Sequence, residues 1–116
     1  MVECRERWQC VPTKKLMSKV KHIVLLKFKE GTPQEQIANI FDNILDITES
    51  IPGIEDYVSG PNTSPEGLSQ GYSHAFIMTF SDSPARDAYL PHPEHERVKA
   101  LIMPAVDSLL VFDFEV

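Results

Sequence analysis

A tyrosine and two histidines lie close together in the segment Tyr89–His95, and their side chains could carry proton-transfer chemistry. The Pro93 between the two histidines predicts a helix start, and the positive end of a helix dipole disfavours a charged imidazole. A neutral His95 could then act as a general base, with the Tyr89 phenol as acid or hydrogen-bond donor. The alternative is structural: His92 and His95 would cap the helix, and Tyr89 would be a core aromatic residue.

The other histidines, His22 and His74, fall in segments whose apolar alternation predicts strands. If these strands are antiparallel neighbours, a rise of about 3.3 Å per residue puts the two side chains about 13 Å apart. They could not then share a metal ion within one subunit. His22 has the same phase as Val24, so we expect it to line a cavity, although a histidine in this setting is more often a hydrogen-bonded structural residue.

Metal binding and nucleophilic catalysis find little support in the sequence. Further ligands for a site at His92 and His95 would have to be the neighbouring glutamates, and this spacing matches no known zinc motif. Cys4 and Cys10 have no histidine near them in the sequence, and we find no glycine-rich phosphate loop. The sequence therefore predicts no metal and no organic cofactor.

Apolar periodicity predicts the element order strand, helix, strand, strand, helix, strand. The predicted strands span residues 20–29, 54–60, 72–80 and 109–116, with a loop over 61–71. The first helix begins after a capping Thr32 and ends before Gly53, and the second begins with Ser83 as its cap. The second helix is expected to break near Pro91 and to end near Pro104.

This order is typical of a ferredoxin-like βαββαβ fold of the α+β class, in which two helices cover one face of a four-stranded antiparallel sheet. Four residues point away from the helix-facing set and make the second face of the sheet apolar: Ile23, Leu25, Ala75 and Ile77. An exposed apolar face of this kind usually has a partner. We therefore predict a homodimer that forms through the sheet face.

Composition limits the remaining possibilities. The net charge of −6 disfavours nucleic acid as a partner, and the apolar runs are too short to cross a membrane. Both cysteines lie in the first ten residues, which fits a reducing compartment, so we predict a cytoplasmic protein. Residues 1–18 are predicted to be a flexible arm and residues 19–116 a single domain, so deleting residues 1–16 should leave the melting temperature nearly unchanged.

Several segments together resemble the stress-responsive A/B barrel family, also called Dabb. They are VKHIVLLKFKEGT at 20–32, GYSHAFIMTF at 71–80, YLPHPEH at 89–95 and LLVFDF at 109–114. The resemblance implies a dimeric α+β barrel, in which two ferredoxin-like sheets pack through the faces opposite their helices.

The resemblance also implies functional residues. In a polyketide cyclase branch of the family, which includes plant proteins, a tyrosine and the second histidine of an H-P-x-H motif act as acid and base, and these match Tyr89 and His95. The other candidate ligand contacts are His22, Val24, Ile40, Ile44, His74 and His92. One hypothesis is a stress-associated or ligand-binding dimer whose small apolar cavity takes a hydrophobic or phenolic ligand. The alternative is a cofactor-independent cyclase-like lyase, and a cavity of roughly 300 Å³ or more beside His95 would favour ligand chemistry.

Overall fold

The computed structural model describes residues 18–116, and in this range it contains four strands and three α-helices. In chain order they are β1 (Val20–Phe28), α1 (Gln34–Ser50), β2 (Ile54–Pro61), β3 (His74–Phe80), α2 (Ser83–Tyr89), α3 (Pro93–Ile102) and β4 (Val106–Glu115). A 3-10 turn, Met103–Ala105, joins α3 to β4. The predicted arm, apart from residue 18, and its deletion lie outside the described residues.

The strands form one antiparallel sheet with the order β2-β3-β1-β4, which confirms the predicted ferredoxin-like α+β fold. β1 occupies a central position and pairs with β3 on one side and β4 on the other. In the β1–β3 register, His22 lies opposite Met78 and Leu26 lies opposite His74. His22 and His74 are therefore four residues apart along the sheet, which corresponds to about 13 Å.

The inner face of the sheet packs against the helices and forms the core. Val20, Val24 and Leu26 alternate along β1 with half-exposed residues, as expected for a strand with one face on the core. α1 covers them with the isoleucines at 37, 40, 44 and 47, whose three-and-four spacing forms one apolar stripe. Each fully buried aliphatic side chain of this kind contributes about 1.5–3 kcal/mol relative to an exposed one.

The outer face of the sheet is also apolar, and in a single chain it is open to solvent. The residues predicted for this face, on β1 and β3, are half-buried. β2 and β4 extend the surface with Val58, Leu110, Phe112 and Phe114, of which Phe112 is 64% exposed. We call this surface the outer face.

Two predicted helix caps are wrong. Thr32 does not cap α1, because its hydroxyl donates to the Lys29 carbonyl and the extended Pro33 precedes the first helical residue. Ser83 is already inside α2, and the capping side chain is Asp82, whose carboxylate accepts from the Ala85 amide at 2.8 Å. The predicted break between α2 and α3 is present.

Candidate active site

A cavity of about 300 Å³ lies between the inner face of the sheet and the helices α2 and α3. Much of its wall is aliphatic, formed by side chains such as Val24, Ile44, Val98 and Ile102. The polar side chains on this wall are His22, Tyr89, His95 and Lys99. The cavity is thus an apolar space with a few convergent polar groups, as is typical of small-molecule sites.

The structure brings most of the residues singled out from the sequence to this cavity. His95, Tyr89, His22, Val24 and Ile44 all line it. The positions come from different elements, since β1 supplies His22, α2 ends at Tyr89, and α3 carries His95 in its first turn. Ile40, His74 and His92 are not among the residues that line it.

His74 lies at the other end of the inner face. Its ring packs at centroid distances of 5.3 Å from Phe28 and 5.6 Å from Phe41, and its Nδ1 lies 2.8 Å from the Ser73 hydroxyl. Burial lowers the pKa of His74 below the ordinary 6.5. His74 therefore packs against two phenylalanine rings and also lines two other cavities, of about 300 and 210 Å³, apart from the cavity beside His95.

His92 and Ile40 have structural surroundings. His92 is the N-cap of α3, and its Nδ1 accepts a hydrogen bond from the Glu94 amide at 3.0 Å. This is the capping role considered as the alternative for the histidine pair. Ile40 is 1% exposed and belongs to the core cluster under α1.

His95 is held by a hydrogen bond to the backbone. Its Nδ1 lies 2.8 Å from the Leu90 carbonyl oxygen, which can only accept, so Nδ1 carries the proton. The neutral ring then has its lone pair on Nε2. The pKa of His95 is lowered mainly by burial, with Lys99 and His22 acting in the same direction and the Leu90 carbonyl and Glu96 opposing them. A neutral imidazole with a free Nε2 is a competent base or hydrogen-bond acceptor.

Tyr89 packs directly against His95. The ring centroids are 4.2 Å apart, and the tyrosine is only 2% exposed. Burial raises the pKa of Tyr89, and the Tyr57 phenol acts in the same direction. The Tyr89 phenol therefore stays protonated at neutral pH and is a hydrogen-bond donor rather than a base.

His22 is linked to two residues that the sequence analysis missed, Asp113 on β4 and Arg86 on α2. His22 Nδ1 lies 2.7 Å from Asp113 Oδ1, and Arg86 Nη1 donates to Asp113 Oδ2 at 2.8 Å. One signal in the sequence could have revealed the carboxylate. Asp113 shares the inward phase of β4 with Leu109 and Val111, where an unpaired charge would be costly.

Together these groups can bind and polarise a small organic molecule. The ring nitrogens Nε2 of His22 and His95 are not engaged by the bonds described above, and the Tyr89 phenol can donate to an oxygen atom. Across residues 18–116, no group of three or more His, Cys, Asp or Glu side chains is placed to hold a metal ion. No helix in the described range is long and apolar enough to span a membrane.

Comparisons with known proteins agree with this architecture. The family model of the stress responsive A/B barrel domain (Dabb) matches residues 20–116. The stress-response A/B barrel domain-containing protein HS1 of Arabidopsis thaliana is 31% identical over 96 residues, which cover 83% of this chain and 88% of the relative. Olivetolic acid cyclase of Cannabis sativa is 27% identical over 82% of this chain and 94% of its own length.

A solved structure gives the same result for the fold. A dimeric ferredoxin-like protein of unknown function from Jannaschia sp. CCS1 matches with a TM-score of 0.76 and 29% identity, over 84% of this chain and 99% of that one. The family match extends over β1 to β4 and so includes every strand and helix described above. The chain therefore belongs to the stress-responsive A/B barrel domain family.

Proposed function

We propose that this protein is a homodimeric binding protein for a small, mainly apolar ligand that carries a phenolic hydroxyl group. The observation that carries the proposal is the cavity of about 300 Å³, whose largely aliphatic wall carries the polar side chains of His22, Tyr89, His95 and Lys99. The name of the Arabidopsis relative supports a role in stress responses.

The hydrogen-bonding groups favour a phenol over a purely apolar ligand. A neutral His95 offers Nε2 as an acceptor, and a phenolic hydroxyl is a good donor to it. A ligand without a donor would cover this acceptor and leave it unpaired, which costs about 1–3 kcal/mol. The aliphatic walls would bury the ring of the ligand.

Matched ligands test the proposal. Amide chemical shifts would be followed while a panel of phenols, with 1-naphthol as the first member, is compared with the corresponding arenes that lack the hydroxyl group. We expect the phenols to bind at least tenfold more tightly, equivalent to about 1.4 kcal/mol, and to shift the amides around residues 89–102. Equal binding of both series, or no binding in this cavity, would contradict the proposal.

Variants at the two histidines of the H-P-x-H motif provide the control. His95→Ala should abolish the preference for phenols and change the free energy of unfolding by less than about 2 kcal/mol. His92→Ala removes a helix cap outside the cavity, so it should lower stability by about 1 kcal/mol and leave the preference intact. Loss of the preference in both variants would indicate a general structural effect.

A second candidate function is cofactor-independent acid–base catalysis, which the contact between His95 and Tyr89 and the similarity to olivetolic acid cyclase favour. His95 Nε2 would take a proton from the carbon beside a carbonyl group. The electron pair of that C–H bond would move to the carbonyl oxygen, where the Tyr89 phenol would stabilise the enolate by donating a hydrogen bond.

Hydrogen exchange tests this second function without knowledge of the natural substrate. The protein should accelerate the exchange of the methyl hydrogens of acetophenone in D₂O, and His95→Ala should slow the catalysed exchange by about 10²–10⁴. Tyr89→Phe should also slow it. If acetophenone exchanges no faster with the protein than in buffer alone, ligand binding remains the proposed function.

The homodimer is proposed from the outer face. Its exposed Val58, Leu110, Phe112 and Phe114 extend the apolar surface of the two central strands across all four strands of the sheet. The Jannaschia protein is described as dimeric and shares the fold. A second copy of this chain would remove these side chains from water, and light scattering at micromolar concentration would detect the dimer.

A further inference from the structure

Arg86 reaches the candidate site through another residue. It lies in the last turn of α2, and its Nη1 donates to Asp113 Oδ2 at 2.8 Å. The other carboxylate oxygen, Asp113 Oδ1, lies 2.7 Å from His22 Nδ1. The carboxylate is thus shared between a guanidinium group and the imidazole that lines the cavity.

The shared carboxylate determines which nitrogen of His22 carries the proton. An ionised carboxylate can only accept hydrogen bonds, so the nitrogen that faces it must be Nδ1–H. Neutral His22 then has its lone pair on Nε2, the nitrogen left for a ligand. The rings of Phe76, Phe80 and Tyr89 lie 5.9–6.4 Å from the imidazole and restrict its rotation.

Arg86 has two effects on this pair. Its bond to Oδ2 fixes the plane of the carboxylate, so that Oδ1 remains directed at His22. Its positive charge also balances Asp113, so that the carboxylate does not require a charged imidazole beside it. The side chains of Arg86 and Asp113 are 24% and 21% exposed, so this ion pair is less screened than a surface pair. The additional bond from Arg86 Nε goes to the exposed carboxylate of Asp87.

We infer that Arg86 is a positioning residue of the cavity, which acts through Asp113 to present His22 Nε2 as a second hydrogen-bond acceptor beside that of His95. The consequence for ligand recognition rests on the proposed function, whereas the state of His22 can be measured without any ligand. The affinity for ligands that place a hydroxyl group against His22 would depend on Arg86, although Arg86 does not touch these ligands.

Nitrogen-15 NMR of the histidine rings tests the inference on the full chain. In the unmodified protein, we expect the two-bond correlations of His22 to show a protonated Nδ1 and an unprotonated Nε2 at pH 7.5. Arg86→Gln should change this pattern toward the other tautomer or a doubly protonated ring, because the carboxylate loses its guanidinium partner. Arg86→Lys should largely restore the original pattern, since a lysine can still donate to Oδ2.

Arg97→Gln is the matched control. Arg97 also lies on a helix and pairs with Asn43 and Glu94, but neither of these residues lines the cavity. An unchanged His22 pattern in Arg86→Gln, or an equal change in Arg97→Gln, would overturn the inference. The inference would also fail if His22 of the unmodified protein carried its proton on Nε2.

If Arg86→Gln does not fold, Asp113→Asn decides the question. The asparagine amide can donate to Nδ1, so the proton of His22 should move to Nε2, and an unchanged Nδ1–H ring would overturn the inference. The results remain separable from the proposed function. Failure of every phenol to bind would contradict that function, while a response of His22 to Arg86→Gln would still support the positioning role.

Discussion

The two faces of the sheet use the same alternating strands but meet different surroundings. The inner face is covered by the chain's own helices, and it leaves a cavity at one end, beside His22. The outer face carries an apolar surface of similar character, with Phe112 and Val58 more than half exposed. The difference shows that one alternating pattern can form both a core within the chain and an exposed apolar surface.

The inner face itself is divided into two ends. At the His74 end, Phe28 and Phe41 pack against the imidazole, which also lines two separate cavities of about 300 and 210 Å³. At the His22 end, the cavity has a largely aliphatic wall, on which polar side chains of three secondary-structure elements converge. Converging hydrogen-bonding groups on an apolar wall, rather than empty volume alone, distinguish the candidate site.

The largest effect is expected on the outer face. Ile23→Asp would place an unpaired charge in the centre of the proposed dimer interface, and this should weaken association by about 3–5 kcal/mol. Light scattering should then show a monomer. Leu45→Asp, at an exposed position of α1 on the opposite side of the sheet, should leave association unchanged. A stable monomer of the unmodified protein at micromolar concentration would show that the outer face has no such role.

On the inner face, two isoleucines of α1 allow the packed core to be compared with the cavity wall. Ile40 and Ile44 are each 1% exposed, but only Ile44 lines the cavity. Ile40→Ala should lower the free energy of unfolding by about 2–5 kcal/mol, and Ile44→Ala should cost less because its side chain already borders empty space. Urea unfolding measures both. A larger loss for Ile44→Ala would mean that the cavity wall is packed as tightly as the core.

The close approach of α2 to the turn before β2 can be tested at Gly53. A β-carbon at this position would lie 2.7 Å from Ala85 Cβ, and the backbone has φ +94°. Gly67 has a similar φ of +73° but nothing within 4 Å. Both alanine variants incur the left-handed backbone cost of about 1–2 kcal/mol, and Gly53→Ala should lose about 1–3 kcal/mol more through the overlap. Equal losses of stability in Gly53→Ala and Gly67→Ala would indicate that α2 can shift away from the turn at little cost.

The smallest expected effect is on the pH dependence of stability. Burial lowers the pKa of His95 below its ordinary 6.5, so below that pH the unfolded chain binds more protons than the folded one. Stability should therefore decrease as pH falls from 6.5 toward the folded pKa. His95→Gln should reduce this slope, and so should His74→Gln, whose pKa is shifted in the same direction. If the slope of stability against pH is unchanged in both variants, groups other than these two histidines cause it.

Much of the fold could be predicted because each strand repeats its pattern over several residues. The alternation in β1 is sufficient to assign Val24 to the core and Ile23 to the outer face. The helix caps were harder, because Thr32 and Ser83 each compete with a neighbouring residue and the local backbone angles decide between them. His22 and His74 look alike in the sequence. What separates them is the packing of Phe28 and Phe41, which depends on how α1 crosses the sheet.

The network around His22 could not be predicted from local spacing. Arg86 and Asp113 come from a helix and a strand that meet only after the sheet has formed its final register. The inward phase of Asp113 marks it as a partly buried carboxylate in need of a partner. The identity of that partner follows from tertiary contacts alone.

The position of β4 has a consequence for the order of folding. His22 and its partner Asp113 are separated by 91 residues, and β4 pairs along the whole of β1. During synthesis, the edge of β1 that pairs with β4 therefore remains unpaired until β4 has been made. Pairing between strands so far apart in the sequence is also slow. In that interval the nascent chain exposes a central strand to other strands. The cavity beside His95, which Leu109 and Val111 of β4 help to line, cannot form before this last strand is in place.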